Sequence, residues 1–217
     1  MEHCEGGPYP FPVFFILSGL PCLVVGGGTI AVRKAADLAE AGALLTIVAL
    51  EPSHEMERFA ADSRSELVRR GFEDGDVEGM RLVFAATDVP SVNRAVAEAA
   101  GRRTIPVNVV DTPELCTFIS GAVVKRGPLR IAVSTSGCCP GLAADIRRDL
   151  EERYPEKLGF FIGDIGELRR RIVNDSSVPE HIRHDALAWL IGKEARELYE
   201  TSGKEALWRH LKTFISD

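Results

Sequence analysis

Several things are scarce or missing in this 217-residue chain, and each narrows what it can be. No C-x-x-C pair occurs. The cysteines stand at 4, 22, 116, 138 and 139, odd in number and scattered, which indicates neither a disulfide framework nor a zinc site and fits a reducing cytoplasm. There is no surplus of positive charge: 26 Lys and Arg against 32 Asp and Glu give a net charge of −6, which disfavours general attraction to nucleic acid or an anionic membrane. No apolar run is long and unbroken. Residues 6–32 carry no charge, but Pro8, Pro10, Pro12, Pro21 and the glycines at 26, 27 and 28 cut them into short pieces. Glu2 and Glu5 occupy the flank where a signal peptide carries Lys or Arg, so neither a membrane span nor a secretory leader is expected. Internal repeats and low-complexity linkers are also lacking.

What is present is an ordinary globular composition, 45% hydrophobic and 27% charged, in a chain long enough for one domain and a smaller appendage. Between residues 22 and 109 short apolar runs alternate with segments of helical period. That pattern predicts strands at 22–25, 44–49, 66–69, 82–85 and 105–109, with helices over 29–41 and 89–100 closed by left-handed caps at Gly42 and Gly101. The expected fold is a Rossmann-type doubly wound α/β sheet. After Pro113 the grammar changes: β-rich runs at 118–125 and 129–135, joined by Arg126-Gly127-Pro128, predict a hairpin. Beyond Pro140 the chain reads as helical, with Leu142, Ala143, Ile146 and Leu150 on one face and further segments at 159–173, 179–200 and 204–215.

The strongest motif is Gly26-Gly27-Gly28-Thr29-Ile30-Ala31, a G-x-G-x-x-A run directly after an apolar strand and opening a helix. The first glycine permits a tight turn, the second lets backbone approach a pyrophosphate, and the small last residue lets helix pack on strand. Glu51 follows the second strand, 20 positions past Ala31, where a carboxylate accepts from a ribose 2′-hydroxyl and repels a 2′-phosphate. NAD is therefore expected in preference to NADP. Ala85-Ala86-Thr87-Asp88 ends the fourth strand at the edge where such sheets bind ligands, or else caps the next helix through Thr87 or Asp88. Asn108-Val109-Val110-Asp111 ends the fifth, which makes Asp111 a candidate acid or base as well as a turn former. Short-chain dehydrogenase chemistry is not indicated, because Tyr154 and Lys157 lack the Y-x-x-x-K spacing and Pro155 stands between them.

Taken in order, residues 23–34, Phe84-Ala85-Ala86-Thr87-Asp88, Asn108-Val109-Val110-Asp111, Cys116-Thr117-Phe118, residues 131–137 and Pro140-Gly141-Leu142-Ala143 closely resemble the precorrin-2 dehydrogenase family, the module that also forms the N-terminal part of siroheme synthase. The resemblance covers residues 11–150, and the helical tail more loosely. It implies oxidation of precorrin-2 to sirohydrochlorin with NAD as acceptor, and in some members insertion of Fe2+ to give siroheme. It also implies a homodimer with an NAD-binding domain (1–113), a small α+β dimerisation domain holding the hairpin (114–150) and a helical C-terminal domain (151–217), ending too early for the methyltransferase module of siroheme synthase.

By position, Asp111 matches the family's catalytic aspartate, and Thr29 with Ile30 and Leu50 with Glu51 match its NAD-contacting pairs. Fold geometry adds Gly26, Gly28, Thr87 and Asp88 as cofactor contacts. Asn108, Ser134, Cys139 and Arg147 are candidate contacts for the anionic tetrapyrrole, and no bound metal site is expected. Cys139 stands where the family usually has a serine, which is phosphorylated in some members, so that regulation does not carry over. His181 and His184 share a helix face but lack a third ligand in sequence. A non-enzymatic NAD-sensing module would share the glycine turn and Glu51, with no need for the Asp111, Phe118 and 134–143 motifs.

Overall fold

The computed structural model describes residues 9–216, so Glu2, His3, Cys4 and Glu5 lie outside the described residues. Two compact units form among these residues: one holds those up to Ser120 together with 136–138, the other 121–135 and those from Cys139 on. In the first, β1 (Pro21–Val25), α1 (Thr29–Glu40), β2 (Leu44–Val48), α2 (His54–Ser63), β3 (Glu66–Val68), β4 (Leu82–Ala85), α3 (Pro90–Arg102) and β5 (Val107–Val109) follow one another. The five strands are all parallel in the order β3-β2-β1-β4-β5. Parallel neighbours need crossover helices, and the order reverses direction between β1 and β4.

Alternation along each strand divides the core in two. Cys22 and Val24 of β1, Leu45 and Ile47 of β2, and Leu82 and Phe84 of β4 pack with Ala31, Val32, Ala35 and Leu38 of α1 and Met56 and Ala60 of α2. Leu23, Val25, Val48, Val83, Ala85, Val107 and Val109 face the other way, onto Val96, Ala97, Ala99 and Ala100 of α3. A sheet apolar on both faces and covered on both is what near-continuous Val/Leu/Ile runs demand. Burying each such side chain contributes about 1.5–3 kcal/mol.

Local differences from the expected pattern have identifiable causes. Helix α2 was not expected, because it buries only Met56 and Ala60. Its start is nevertheless encoded: the Ser53 hydroxyl accepts from the Met56 N–H at 3.2 Å. Gly42 closes α1 as expected, with its N–H on Ala39 O and that of Ala43 on Leu38 O. Gly101 does not cap α3. The helix runs on to Arg102, and the left-handed residue is Thr104, after which Ile105 N–H returns to Ala100 O at 3.0 Å. Asp74 holds this end by pairing with both Arg102 and Arg103. Strand β5 starts at Val107, two residues late, since Pro106 has no N–H to give a ladder.

The second unit contains the antiparallel hairpin β6 (Ala122–Arg126) and β7 (Leu129–Val133), turning at Gly127-Pro128, then α4 (Pro140–Arg153), α5 (Glu156–Asn174), α6 (Glu180–Leu190) and α7 (Lys193–Ser216), the last broken at Gly203. Arg126 caps α4: its guanidinium donates to Tyr154 O at 2.7 Å and Glu151 O at 3.2 Å, satisfying carbonyls at a helix end. The turn lies against Gly159 of α5, where an added Cβ would come within 2.5 Å of the Arg126 carbonyl carbon. Phe161, Leu168 and Ile172 of α5, Ala186 and Leu190 of α6, and Ala195, Leu207 and Leu211 of α7 form this unit's core. The hairpin strands are shorter than expected because Phe118 belongs to the first unit, and the expected segment 179–200 is split at Ile191 and Gly192. Among the described residues no helix is long and apolar enough to cross a membrane.

Candidate functional site

All five strands end at one edge, and the reversal of order between β1 and β4 opens a crevice there. The β1–α1 turn shapes it. Gly26 adopts φ +134 and donates its N–H to Val48 O; a Cβ there would meet Ala86 O at 2.2 Å, so a side chain is excluded by backbone angle and by space alike. At Gly27 an added Cβ would fall 2.7 Å from Pro52 Cα and 2.9 Å from Glu51 O, bringing the end of β2 against the turn. Gly28 is the opposite case, with nothing within 4 Å of its Cβ position. It is the N-cap of α1, with no side-chain cap and no acidic residue in the first turn. The first N–H groups of α1 and the positive end of its dipole therefore remain available to an anion, and Thr29 and Ile30 beside them are exposed.

The flanking loops complete the edge. Leu50 is 71% exposed at the end of β2, with Glu51 exposed next to it. After β4, Thr87 is fixed by Asn93, a buried polar residue of α3 that the sequence pattern did not single out. Asn93 Oδ1 accepts from the Thr87 hydroxyl at 2.8 Å and its N–H at 3.2 Å, and Asn93 Nδ2 donates to Thr87 O at 2.9 Å. Neither Thr87 nor Asp88 is the N-cap of α3; Val89 holds that position, and Thr87 Oγ1 accepts the Val89 N–H at 3.2 Å.

Beyond β5 the chain makes a turn in which Thr112 N–H returns to Val109 O, with Asp111 at the third position and φ 58. This left-handed position ordinarily favours Gly or Asn, yet it carries an exposed carboxylate at the sheet edge. Residues 116–118 brace it. The Cys116 thiol donates to Val109 O and accepts the Val109 N–H, each at 3.2 Å, and burial pushes its pKa up, so it acts as a structural tie. Thr117 takes the place of a missing sheet neighbour: its hydroxyl accepts from Val107 N–H at 2.8 Å and its N–H donates to Val107 O. Asn108, 9% exposed, donates to Phe118 O at 3.0 Å.

The remaining expected contacts lie in the second unit. Ser134 and Cys139 are exposed, Cys139 as N-cap of α4 with its N–H on Thr135 Oγ1 at 3.2 Å. Arg147 is engaged on its own helix, 2.6 Å from Glu151. Cys22, Cys116 and Cys139 are free thiols, Cys22 buried and Cys139 exposed. Among the described residues no cluster of three or more His, Cys, Asp or Glu is placed to hold a metal.

A family model described as NAD(P)-binding matches residues 13–122, half of the chain, and a second, described as sirohaem biosynthesis protein central, matches residues 126–153. The chain belongs to this NAD(P)-binding family. Siroheme synthase of Methylococcus capsulatus is 43% identical over 173 residues, covering 80% of this family member and 36% of that protein. Siroheme synthase of Methylobacillus flagellatus is 40% identical over 202 residues, covering 92% and 42% respectively. The chain thus spans well under half the length of these curated relatives. Among solved structures, the precorrin-2 dehydrogenase SirC superimposes with a TM-score of 0.76 at 26% identity, covering 94% of this family member and all of that chain.

Proposed function

We propose that this chain oxidises precorrin-2 to sirohydrochlorin with NAD as acceptor. The observation that carries the reading is Asp111, a carboxylate held in a left-handed turn at the same sheet edge as the uncapped N-terminus of α1. The family, the siroheme synthase relatives and the precorrin-2 dehydrogenase neighbour support it.

A dinucleotide fits this edge. The pyrophosphate would lie on the open face of Gly28 and the N–H groups of Thr29 and Ile30, and Glu51 would accept from a ribose hydroxyl, with Leu50 against the adenosine and Thr87 and Asp88 along the far wall. When bound, NAD supplies the hydride acceptor. Removing two hydrogens from the macrocycle then leaves one proton, and Asp111 takes it: a C–H bond is lost as hydride, an N–H or C–H proton passes to the carboxylate, and the ring gains a double bond.

The same carboxylate serves a second reaction in this proposal, receiving pyrrole N–H protons as Fe2+ enters sirohydrochlorin; the iron is a substrate. We assign the macrocycle's side-chain carboxylates to the second unit, with Ser134 and Cys139 as contacts. Arg147 joins them only by exchanging its Glu151 partner. Division into a cofactor domain, a hairpin dimerisation domain and a helical domain, pairing as a homodimer in the cytoplasm, belongs to the same proposal, and sedimentation as a single-chain species would contradict the pairing.

The test is anaerobic turnover of precorrin-2 with NAD, followed by NADH absorbance, then addition of Fe2+. NADH formation is expected, followed by metal insertion faster than without protein. Absence of NADH would overturn the dehydrogenase reading and favour an NAD-sensing module, and insertion no faster than the protein-free control would remove the second activity.

A further inference from the structure

Lys34 lies on α1, one and a half turns beyond the N-terminus of that helix, and its half-buried side chain is engaged at its tip. It donates to Ser120 Oγ at 2.9 Å and stands over the Phe84 ring of β4, 5.4 Å from its centroid. Phe118 packs edge-on against the same ring, centroids 5.3 Å apart. Burial first, then the neighbouring Arg33, pull the Lys34 pKa below the ordinary lysine value, with Asp37 acting in the opposite sense. Partial desolvation of the side chain is offset by cation–π attraction and a charge-assisted hydrogen bond.

The segment so held is a particular one. Residues 116–120 run from the Asp111 turn to the point where the chain enters the hairpin unit at Gly121. Cys116 and Asn108 tie its beginning and middle to β5, and Lys34 ties its end to α1.

We propose that Lys34 is a positioning residue for the tetrapyrrole reaction: by holding Ser120 to the cofactor-binding helix from above the Phe84 ring on which Phe118 packs, it fixes the segment 116–120 that braces the Asp111 turn. This inference rests on the proposed dehydrogenase function. It predicts a division of effects. The cofactor edge is built without Lys34, so NAD affinity does not depend on it, whereas productive placement of the macrocycle does.

Lys34→Met keeps an unbranched stem of similar length on Phe84 and removes the ammonium; Lys34→Arg restores the charge; Ser120→Ala removes only the acceptor. In the full chain, Lys34→Met is expected to bind NAD within about twofold of the parent by fluorescence titration, while kcat/KM for precorrin-2 falls about tenfold or more. Lys34→Arg should recover most of that loss, and the Lys34→Met/Ser120→Ala double variant should be no worse than Lys34→Met alone. Unchanged kcat/KM, or a parallel loss of NAD affinity, would overturn the proposal, the latter revealing a purely structural role in α1. Backbone hydrogen exchange, which needs no substrate, separates this outcome from failure of the functional reading. Lys34→Met should speed exchange at 118–121 and leave β1 and β4 unchanged. If the parent forms no NADH the dehydrogenase reading and the positioning role of Lys34 in that reaction fail together, and the exchange result then decides whether the pinning itself stands; equal exchange in parent and variant overturns the pinning in either case.

Discussion

A carboxylate in a turn position that suits glycine is the most informative single residue in this chain. Asp111 was legible in the sequence by its place at a strand end before Thr-Pro, but its φ of 58 was not, because the backbone angle is set by the Thr112 to Val109 closure and the ties from Cys116 and Thr117. Gly26 and Gly28 were legible, since their spacing states the demands later seen at Ala86 and on the open face of Gly28, whereas Gly27 fills the motif's free position and its need to be small comes from Pro52 and Glu51. Asn93 was not. An Asn in the second turn of a helix reads as solvated, and its role appears only when the β4 loop folds back on it. The arrangement of Glu51 leads to a prediction: NAD binds about tenfold or more tightly than NADP, a difference of about 1.4 kcal/mol or more, and Glu51→Gln narrows the gap by relieving repulsion of the 2′-phosphate. Paired titrations with both cofactors check this, and an unchanged ratio would remove Glu51 from specificity.

Elements were legible where one buried face imposed a period. Each strand of the parallel sheet lay within two residues of expectation at either end, and α1 stood out through Ala31, Val32, Ala35 and Leu38. Helix α2 and the 191–192 break did not, the first because it buries two residues, the second because helical period continues on either side of Gly192. Two tests belong at this scale. Asn93→Ala removes both amide partners of Thr87 and leaves backbone groups of the β4 loop unpaired, for a loss of about 1–3 kcal/mol. Thermal unfolding should show a drop of several degrees, and a Tm equal to the parent's would contradict the clamp.

The second test concerns pH. Arg70 grips Asp76 with two hydrogen bonds, at 2.6 and 2.8 Å, and the Glu73 N–H adds a third at 2.8 Å, joining the end of β3 to the turn that follows. The Arg70 hydrogen bonds hold the Asp76 carboxyl below the usual carboxylate range, with the Glu73 N–H helping and desolvation opposing. A depressed pKa contributes stability that is complete above about pH 4 and fades as pH falls through the folded value. Asp76→Asn should therefore be less stable than the parent at pH 7, and the difference should shrink below pH 4. Urea unfolding at pH 7 and pH 3 measures it, and a difference independent of pH would contradict the ion pair's role.

For the molecule as a whole, alternating strands and helices pointed to a doubly wound sheet, and the observed order with its reversal between β1 and β4 places every expected cofactor contact at one edge. The grouping of the hairpin with α4 to α7 was less legible, since it depends on Arg126 capping α4 and on the close approach of the turn to Gly159, neither of which has a sequence period. The reaction proposed for this edge is a dehydrogenation in which Asp111 moves the proton. The most direct measurement is NADH formation from precorrin-2, under anaerobic conditions, by the parent and by Asp111→Asn side by side, with NAD affinity measured on both. Equal NAD affinity within about twofold and a loss of turnover of about a hundredfold or more are expected, in the range that a positioned acid or base contributes. Turnover by Asp111→Asn at the parent's rate would contradict it.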